Sequence, residues 1–290
     1  MGIQSRIRLA MKCLLGQDIS PQFIQHNYIL AFSEKDKLKG YNVFITGATG
    51  AIGSGICFHL ASMGATIGVC GRSSEKITKT IDKITAGIEY SPTLIPVQVD
   101  VTDELSIKNG IDEFVAKTGA IDVLINNAGG QPGIVGQQAE SLSEQQTEEI
   151  DLIINTNLRG TILCSKYASP YLMKQKNGLI INVGSVIGTN GKKGYCEYAA
   201  AKAGVIGFTK SHALEMAEYG VRVNCISPGL VNQTPFDCGS SVRFTEKTAL
   251  KRSGYTREVA EAVEFLIFDK YITGENIIVD GGRSLGLFGD

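Results

Sequence analysis

From Lys39 onward the chain alternates short, nearly continuous apolar runs with longer stretches whose apolar residues recur at helical spacing. The runs are Tyr41 to Thr46, Thr66 to Cys70, Leu94 to Val99, Val123 to Asn126, Leu179 to Val183, Val221 to Ile226 and Ile277 to Val279. Runs this short and this apolar suit strands covered on both faces. The intervals between them are long enough for crossover helices, so the pattern predicts an α/β fold, a doubly wound parallel sheet of about seven strands with helices on both faces. Two intervals predict long helices, at about 144 to 176 and 197 to 219. No Pro- or Ser-rich linker, low-complexity tract or internal repeat follows residue 39. Residues 39–290 are therefore read as one domain and residues 1–38 as an N-terminal extension.

The extension has its own pattern. Ile3, Ile7, Met11 and Leu14 recur at helical spacing, Arg6, Arg8 and Lys12 are basic, and no acid precedes Asp18. That describes a basic amphipathic helical arm. Packing on its own domain or on a neighbouring subunit is the favoured reading, an interfacial anchor or transit peptide the other. Lys12 interrupts the apolar core a secretory signal needs, and the myristoylation pattern lacks its Ser or Thr at position 6. No run of about 18 apolar residues exists to span a membrane.

Charge and cysteine content narrow the function classes. A net charge of -1 offers no positive field for a nucleic-acid backbone, so no nucleic-acid partner is expected. The 7 cysteines are scattered and never spaced Cys-x-x-Cys, and the 3 histidines lie far apart. No metal site is expected, and reduced thiols point to a cytoplasmic setting.

The first candidate chemistry lies where the first predicted strand ends. It runs into Thr46-Gly47-Ala48-Thr49-Gly50-Ala51-Ile52-Gly53, then Gly55 and a helical stretch to Met63. Glycines at a strand-to-helix turn permit positive φ and let backbone N–H groups approach a pyrophosphate at a helix N-terminus. In a Rossmann-type sheet this is the dinucleotide-binding turn, with Gly47, Thr49, Ala51, Ile52 and Gly53 as candidate contacts. The second strand ends in Gly71-Arg72-Ser73-Ser74 rather than in the acid that would bind a ribose diol. Arg72 and Ser73 can instead grip a 2'-phosphate, which favours NADP(H) and leaves NAD(H) as the other choice.

Of the 10 tyrosines, only Tyr198 is followed four residues later by a lysine, Lys202, within a helix-forming stretch. One helical turn puts both on one face. Ser185 follows the strand Leu179 to Val183 through Gly184, which places its hydroxyl at the carboxyl edge of the sheet, where open α/β folds bind ligands. A free phenol, with a pKa of about 10, is a weak acid for work near neutrality. A nearby ammonium, helped by a cationic nicotinamide, stabilises the phenolate. Tyr198 would exchange a proton with a carbonyl or alcohol oxygen while Ser185 hydrogen-bonds the same oxygen.

Together these residues resemble the short-chain dehydrogenase/reductase family, and 3-oxoacyl-[acyl-carrier-protein] reductase-like members within it, over about residues 39 to 283. The matching pieces are the glycine turn, Asp100-Val101, Asn126-Asn127-Ala128-Gly129, Asn157-Leu158-Arg159-Gly160, Ser185, Tyr198 with Lys202, Pro228-Gly229, and Ile272-Thr273-Gly274 leading to Asp280-Gly281-Gly282. The resemblance implies that Asp100 and Val101 lie along the adenine, that Asn126, Ala128 and Gly129 follow the central cofactor, and that Asn157 holds a water linking Lys202 to solvent. It further implies that Lys202 binds the nicotinamide ribose and that Pro228, Gly229 and Val231 face the nicotinamide. A homodimer or homotetramer built through the two long helices is implied in the same way. Ala51 stands where such proteins usually carry glycine, and the turn equally fits the spacing of the extended, sugar-nucleotide branch. The threonine after Pro228-Gly229 is displaced to Thr234, and Phe268 to Tyr271 is a shorter stretch than usual.

The expected function is hydride transfer between NADP(H) and a ketone or secondary alcohol, with a 3-oxoacyl thioester as first substrate class and a sugar or polyol as the alternative. A nucleotide-sugar epimerase would need a larger C-terminal lobe, and a non-catalytic dinucleotide-binding scaffold would have no use for Ser185, Tyr198 and Lys202 together. The loop from Leu230 to Arg252 mixes Phe236, Phe244 and Leu250 with Asp237, Arg243, Glu246 and Lys247, so its composition does not choose a substrate.

Overall fold

Alternation along single strands sorts the core into two layers. In the first strand, β1 (Asn42–Ile45), Val43 and Ile45 pack into one apolar cluster and Phe44 into another, as the two-residue period of a strand requires. β4 (Val123–Asn126) and β5 (Gly178–Val183) repeat the division: Ile125 and Ile181 join the cluster of Val43, while Leu124 and Ile180 join that of Phe44. The first cluster is closed by three helices, α1 (Ala51–Ala61), α2 (Ser74–Gly87) and α8 (Thr256–Phe268). The second is closed by α3 (Glu104–Thr118), α5 (Gly160–Gln175) and, after the short α6 (Ile187–Asn190), α7 (Cys196–Ala217).

The computed structural model describes residues 36–130, 141–232 and 245–285. All seven strands pair in parallel, in the order β3-β2-β1-β4-β5-β6-β7, the others being β2 (Thr66–Gly71), β3 (Leu94–Gln98), β6 (Val221–Pro228) and β7 (Asn276–Val279). This is the doubly wound, Rossmann-type sheet that the pattern predicts, and each expected strand is present to within two residues at either end. The two edge strands, β3 and β7, are partly exposed, whereas every residue of β4 and β5 is buried. The first expected long helix is in fact α4 (Thr147–Ile154), a π-helical turn (Asn155–Arg159) and α5 in unbroken succession.

The chain winds outward from β1 to β3, returns to place β4 on the other side of β1, and winds out again to β7. The crossovers on either side of that reversal diverge, leaving a crevice at the carboxyl ends of β1 and β4. The packed body begins before Lys39, because Leu38 is fully buried and its N–H donates to Met63 O at 2.8 Å. The amphipathic segment at residues 3 to 14 lies outside the described residues, as do Thr234, Phe236, Asp237, Arg243 and Phe244. Among the described residues no helix is long and apolar enough to cross a membrane.

Candidate active site

The first side of the crevice is built by the lack of side chains. Gly47 follows β1 with φ of 63°, and a methyl group on Gly53 would lie 2.3 Å from the Gly47 carbonyl oxygen, so only glycine closes this turn. Gly50, at the N-cap of α1, makes no side-chain cap bond, and no acid stands in the first turn. The backbone N–H groups and the positive end of α1 are thus left for an anion at the carboxyl edge. Thr46, only 2% exposed, clamps the base of the crevice: its hydroxyl accepts from the N–H groups of Asn127 (3.1 Å) and Ala128 (3.0 Å). Asn127 Nδ2 returns two bonds, to Thr46 O at 3.1 Å and Gly47 O at 3.0 Å. These residues fit the pyrophosphate of a dinucleotide.

Thr49 lies against Gly71, where a methyl group would come within 3.0 Å of its Cγ2, and this brings the turn beside Arg72. Arg72 is exposed, and its carbonyl is held by Gln98 Nε2 at 3.0 Å. Ser73 has a structural duty the sequence reading did not assign, since its hydroxyl caps α2 by accepting from Lys76 N–H at 3.3 Å. Asp100 turns its carboxylate onto Thr102, accepting from the N–H at 2.9 Å and the hydroxyl at 2.8 Å, while Val101 is buried. Asn126 also departs from the simplest expectation. Its amide nitrogen points into the core, donating to Ser165 Oγ (2.9 Å) and Asn182 Oδ1 (2.8 Å), while its Oδ1 is buried without a hydrogen-bond partner among the described residues.

The second side of the crevice is built of polar side chains. Ser185 is 7% exposed, its oxygen accepts from Ile187 N–H at 3.2 Å, and its hydroxyl acts on the Tyr198 phenol. Lys202, one turn along α7 from Tyr198, is 3% exposed and donates from Nζ to Val183 O at 2.7 Å. Its ammonium stands 5.7 Å from the centre of the Tyr198 ring. Burial pulls the Lys202 pKa down to about 8. The Tyr198 phenol is pushed above its ordinary value by burial, with the Ser185 hydrogen bond pulling the other way. The Lys202 ammonium is thus bonded to a backbone carbonyl while it stands beside the phenol ring.

The 126–130 loop ties the two sides together. Gly129 has φ of 145°, and a methyl group there would lie 2.4 Å from Asn157 Oδ1 and 3.5 Å from Lys202 Nζ. Asn157 sits in the π-helical turn and is fully buried. Its amide donates to Ile153 O and Gly130 O, each at 3.0 Å, and its Oδ1 accepts from Gly130 N–H at 2.8 Å. By taking the Ile153 carbonyl that an α-helical N–H would use, the side chain accounts for the wider turn at this point. At the far end, Pro228 O accepts from Val186 N–H at 3.2 Å, Gly229 N–H donates to Val279 O at 2.9 Å, and Val231 bridges to Gly254. Ser185, Tyr198, Lys202, Asn157 and the Pro228 segment therefore converge on the carboxyl edge beside the glycine turn. Among the described residues no group of His, Cys, Asp or Glu is arranged to hold a metal ion.

A family model for short chain dehydrogenases matches residues 41–241. The chain belongs to that family. This short-chain dehydrogenase is 38% identical over 253 residues to the 3-oxoacyl-[acyl-carrier-protein] reductase FabG of Thermotoga maritima, covering 85% of the present chain and 98% of that protein. It is 36% identical to the FabG of Staphylococcus aureus strain Mu50, covering 83% and 97%. Among solved structures, a 3-oxoacyl-[acyl-carrier protein] reductase from Brucella melitensis with bound NAD superposes with a TM-score of 0.78 at 29% identity, covering 88% and 95% of the two chains. Levodione reductase superposes equally well, at 27% identity, covering 86% and 100%. The dehydrogenase is accordingly an NAD(P)-dependent oxidoreductase acting on C=O and CH–OH groups.

Some working parts carried no sequence signal. The Val183 carbonyl that holds Lys202 is a backbone group, and the layer of Asn182, Thr209 and Ser165 behind Asn126 is assembled from three elements. Tyr195, three residues before Tyr198, lies at helical spacing from it.

Proposed function

We propose that this dehydrogenase reduces 3-oxoacyl thioesters with NADPH, and that Tyr198 gives the proton. The observation that carries the reading is the convergence of Ser185, Tyr198 and Lys202 beside the glycine turn, in a chain whose relatives are named 3-oxoacyl-[acyl-carrier-protein] reductases. When bound, the nicotinamide supplies hydride to the carbonyl carbon. Ser185 holds the substrate oxygen by hydrogen bonding, and Tyr198 passes its proton to that oxygen as negative charge develops there. Burial keeps the phenol protonated at neutral pH and makes it a weaker acid, so the proton passes only as negative charge builds on the substrate oxygen. Lys202, anchored by Val183 O, presents its ammonium to the nicotinamide ribose and to the phenol. Asn157 carries the proton path onward through a water.

The NADPH preference rests on the end of β2, where no carboxylate stands to repel a 2'-phosphate and Arg72 is exposed to meet one. Asp100 and Val101 would border the adenine, the backbone of Asn126, Ala128 and Gly129 the central cofactor, and Pro228 to Val231 the nicotinamide. The protein is taken to be cytoplasmic and to assemble as a homodimer or homotetramer, which sedimentation at micromolar concentration would test against a monomer peak.

The deciding experiment titrates the purified protein with NADPH and NADH, then offers acetoacetyl thioesters, simple ketones and keto-sugars at saturating cofactor. NADPH is expected to bind more tightly and the thioester to be turned over fastest. Tyr198→Phe should lose roughly 100-fold to 10,000-fold in kcat while still binding cofactor. Undiminished turnover by that variant would end the assignment of Tyr198, and failure to reduce any thioester would end the substrate assignment.

A further inference from the structure

Three residues before Tyr198 stands a second tyrosine that the chemistry above leaves unused. Tyr195 occupies the N-cap of α7, where its carbonyl accepts from Ala199 N–H at 2.8 Å and its own N–H donates to Lys192 O at 3.1 Å. The turn is framed by Gly191 and Gly194, with φ of 71° and 75°. It folds Lys192 back so that Nζ lies 3.9 Å from the centre of the Tyr195 ring. Among the described residues neither Lys192 nor Lys193 has a carboxylate partner, so the Lys192 ammonium is directed at the ring rather than at an acid. The Tyr195 ring in turn meets that of Tyr198 edge to face, with centroids 6.5 Å apart and planes at 69°. That is a favourable aromatic geometry, as is a cation placed over a ring face.

Two other neighbours meet Tyr198. The Ser185 hydroxyl acts on the phenol oxygen and does not set the plane of the ring. Lys202, its ammonium held by Val183 O, meets the ring as a cation 5.7 Å from the ring centre. Tyr195 adds a rigid aromatic contact to that ring.

We propose that Tyr195, steadied by Lys192, is a positioning residue for the proton donor: its ring fixes the plane of Tyr198 so that the phenol stays aimed at Ser185 and the substrate oxygen. The inference rests on the reading of Tyr198 as that donor. A second phenol close by also disfavours the Tyr198 anion and so helps keep the donor protonated.

The test compares Y195F, Y195L and K192M with the parent enzyme in kcat, KM for an acetoacetyl thioester, Kd for NADPH and the pH profile of kcat, with thermal melts to confirm folding. Y195F, which keeps the ring, should retain more than half of kcat. Y195L should lose about tenfold in kcat with KM and Kd within about twofold, and K192M about threefold. The alkaline limb of the Y195L profile should move to lower pH. Parental kcat and pH profile in Y195L would overturn the proposal, as would a loss confined to KM, which would make the ring a substrate wall. Equal losses in Y195F and Y195L would overturn it too, by showing that the hydroxyl matters and not the ring. If Y195L melts below the assay temperature, Y195M, also without an aromatic face, takes its place. Y198F separates the two readings: activity in that variant removes the donor itself, whereas an inactive Y198F beside an unaffected Y195L removes only the role of Tyr195.

Discussion

The two sides of the crevice reach the same edge of the sheet by opposite means. The glycine turn works through backbone: Gly47 and Gly53 touch neighbouring atoms so closely that no side chain fits, and the N–H groups of α1 are left open for phosphate. The catalytic side works through burial of polar side chains: Lys202, Ser185 and Asn157 are nearly or wholly inaccessible, and Lys202 and Asn157 are held by partners distant in sequence. Backbone cradles cost little beyond chain entropy. Buried polar groups carry a desolvation cost that only specific partners offset, and an ammonium carries the largest. The catalytic side should therefore be where stability is given up for function, and the cradle where binding and folding fail together.

Lys202→Met should show the contrast most strongly. Loss of the ammonium should lower kcat by roughly 100-fold to 10,000-fold, because it removes both the contact to the ribose and the charge beside Tyr198. The same change should stabilise the fold at neutral pH. Folding takes Lys202 from its ordinary 10.5 to about 8, so below about pH 8 the native state holds a buried charge that the unfolded chain keeps in water. Methionine avoids that cost, about 3 kcal/mol on the size of the shift. Between pH 8 and 10.5 the unfolded chain binds more protons than the native one, the parent gains stability as pH rises, and the advantage of the variant should fade. Denaturant melts at pH 7 and pH 10 would check this, and a variant less stable at both would refute it.

Gly53→Ala addresses the other side. The added methyl group would lie 2.3 Å from Gly47 O and 2.7 Å from Asn127 Nδ2, and the carbonyl is backbone that cannot step aside cheaply. A loss of about 1 to 3 kcal/mol is expected, together with weaker cofactor binding, since the turn that opens to relieve the clash is the one that holds the phosphate. Isothermal titration with NADPH and a thermal melt should fall in parallel. Unchanged stability with lost binding would mean the turn is looser than the contacts indicate.

The contrast also explains what could be read from the residues alone. The strands and the glycine turn were legible because their signals are local: an apolar run of the right length, or glycine where the chain must turn. Tyr198, Lys202 and Ser185 were legible for a mixed reason, one pair at helical spacing and one hydroxyl just past a strand. What escaped was contact between separate elements. Nothing near Asn126 announces that its amide faces inward to Asn182 and Ser165, and nothing near Lys202 announces that its ammonium would sit on Val183 O instead of the phenol. Ser73 was legible as a hydroxyl beside Arg72, but its duty as helix cap depends on where α2 begins.

Arg72→Gln probes the cradle with a smaller effect. The guanidinium is exposed and, among the described residues, makes no hydrogen bond or ion pair, so stability should be unchanged within about 0.5 kcal/mol. The ratio of kcat/KM with NADPH to that with NADH should fall about tenfold, the weight of one charge-assisted contact to a 2'-phosphate. An unchanged ratio would show that Arg72 packs on adenine or points to solvent and that the cofactor preference is set elsewhere.

Ser73→Ala should give the smallest change and asks to which side of the contrast a shared residue belongs. Its oxygen already accepts from Lys76 N–H to cap α2, so losing it should cost about 1 kcal/mol of stability whatever the cofactor. The hydroxyl hydrogen is not used by that bond and is available for a phosphate oxygen. If it serves there, KM for NADPH should rise severalfold while KM for NADH stays constant. If both stay constant as the melting temperature drops, Ser73 is a helix cap alone, and recognition of the 2'-phosphate falls to Arg72.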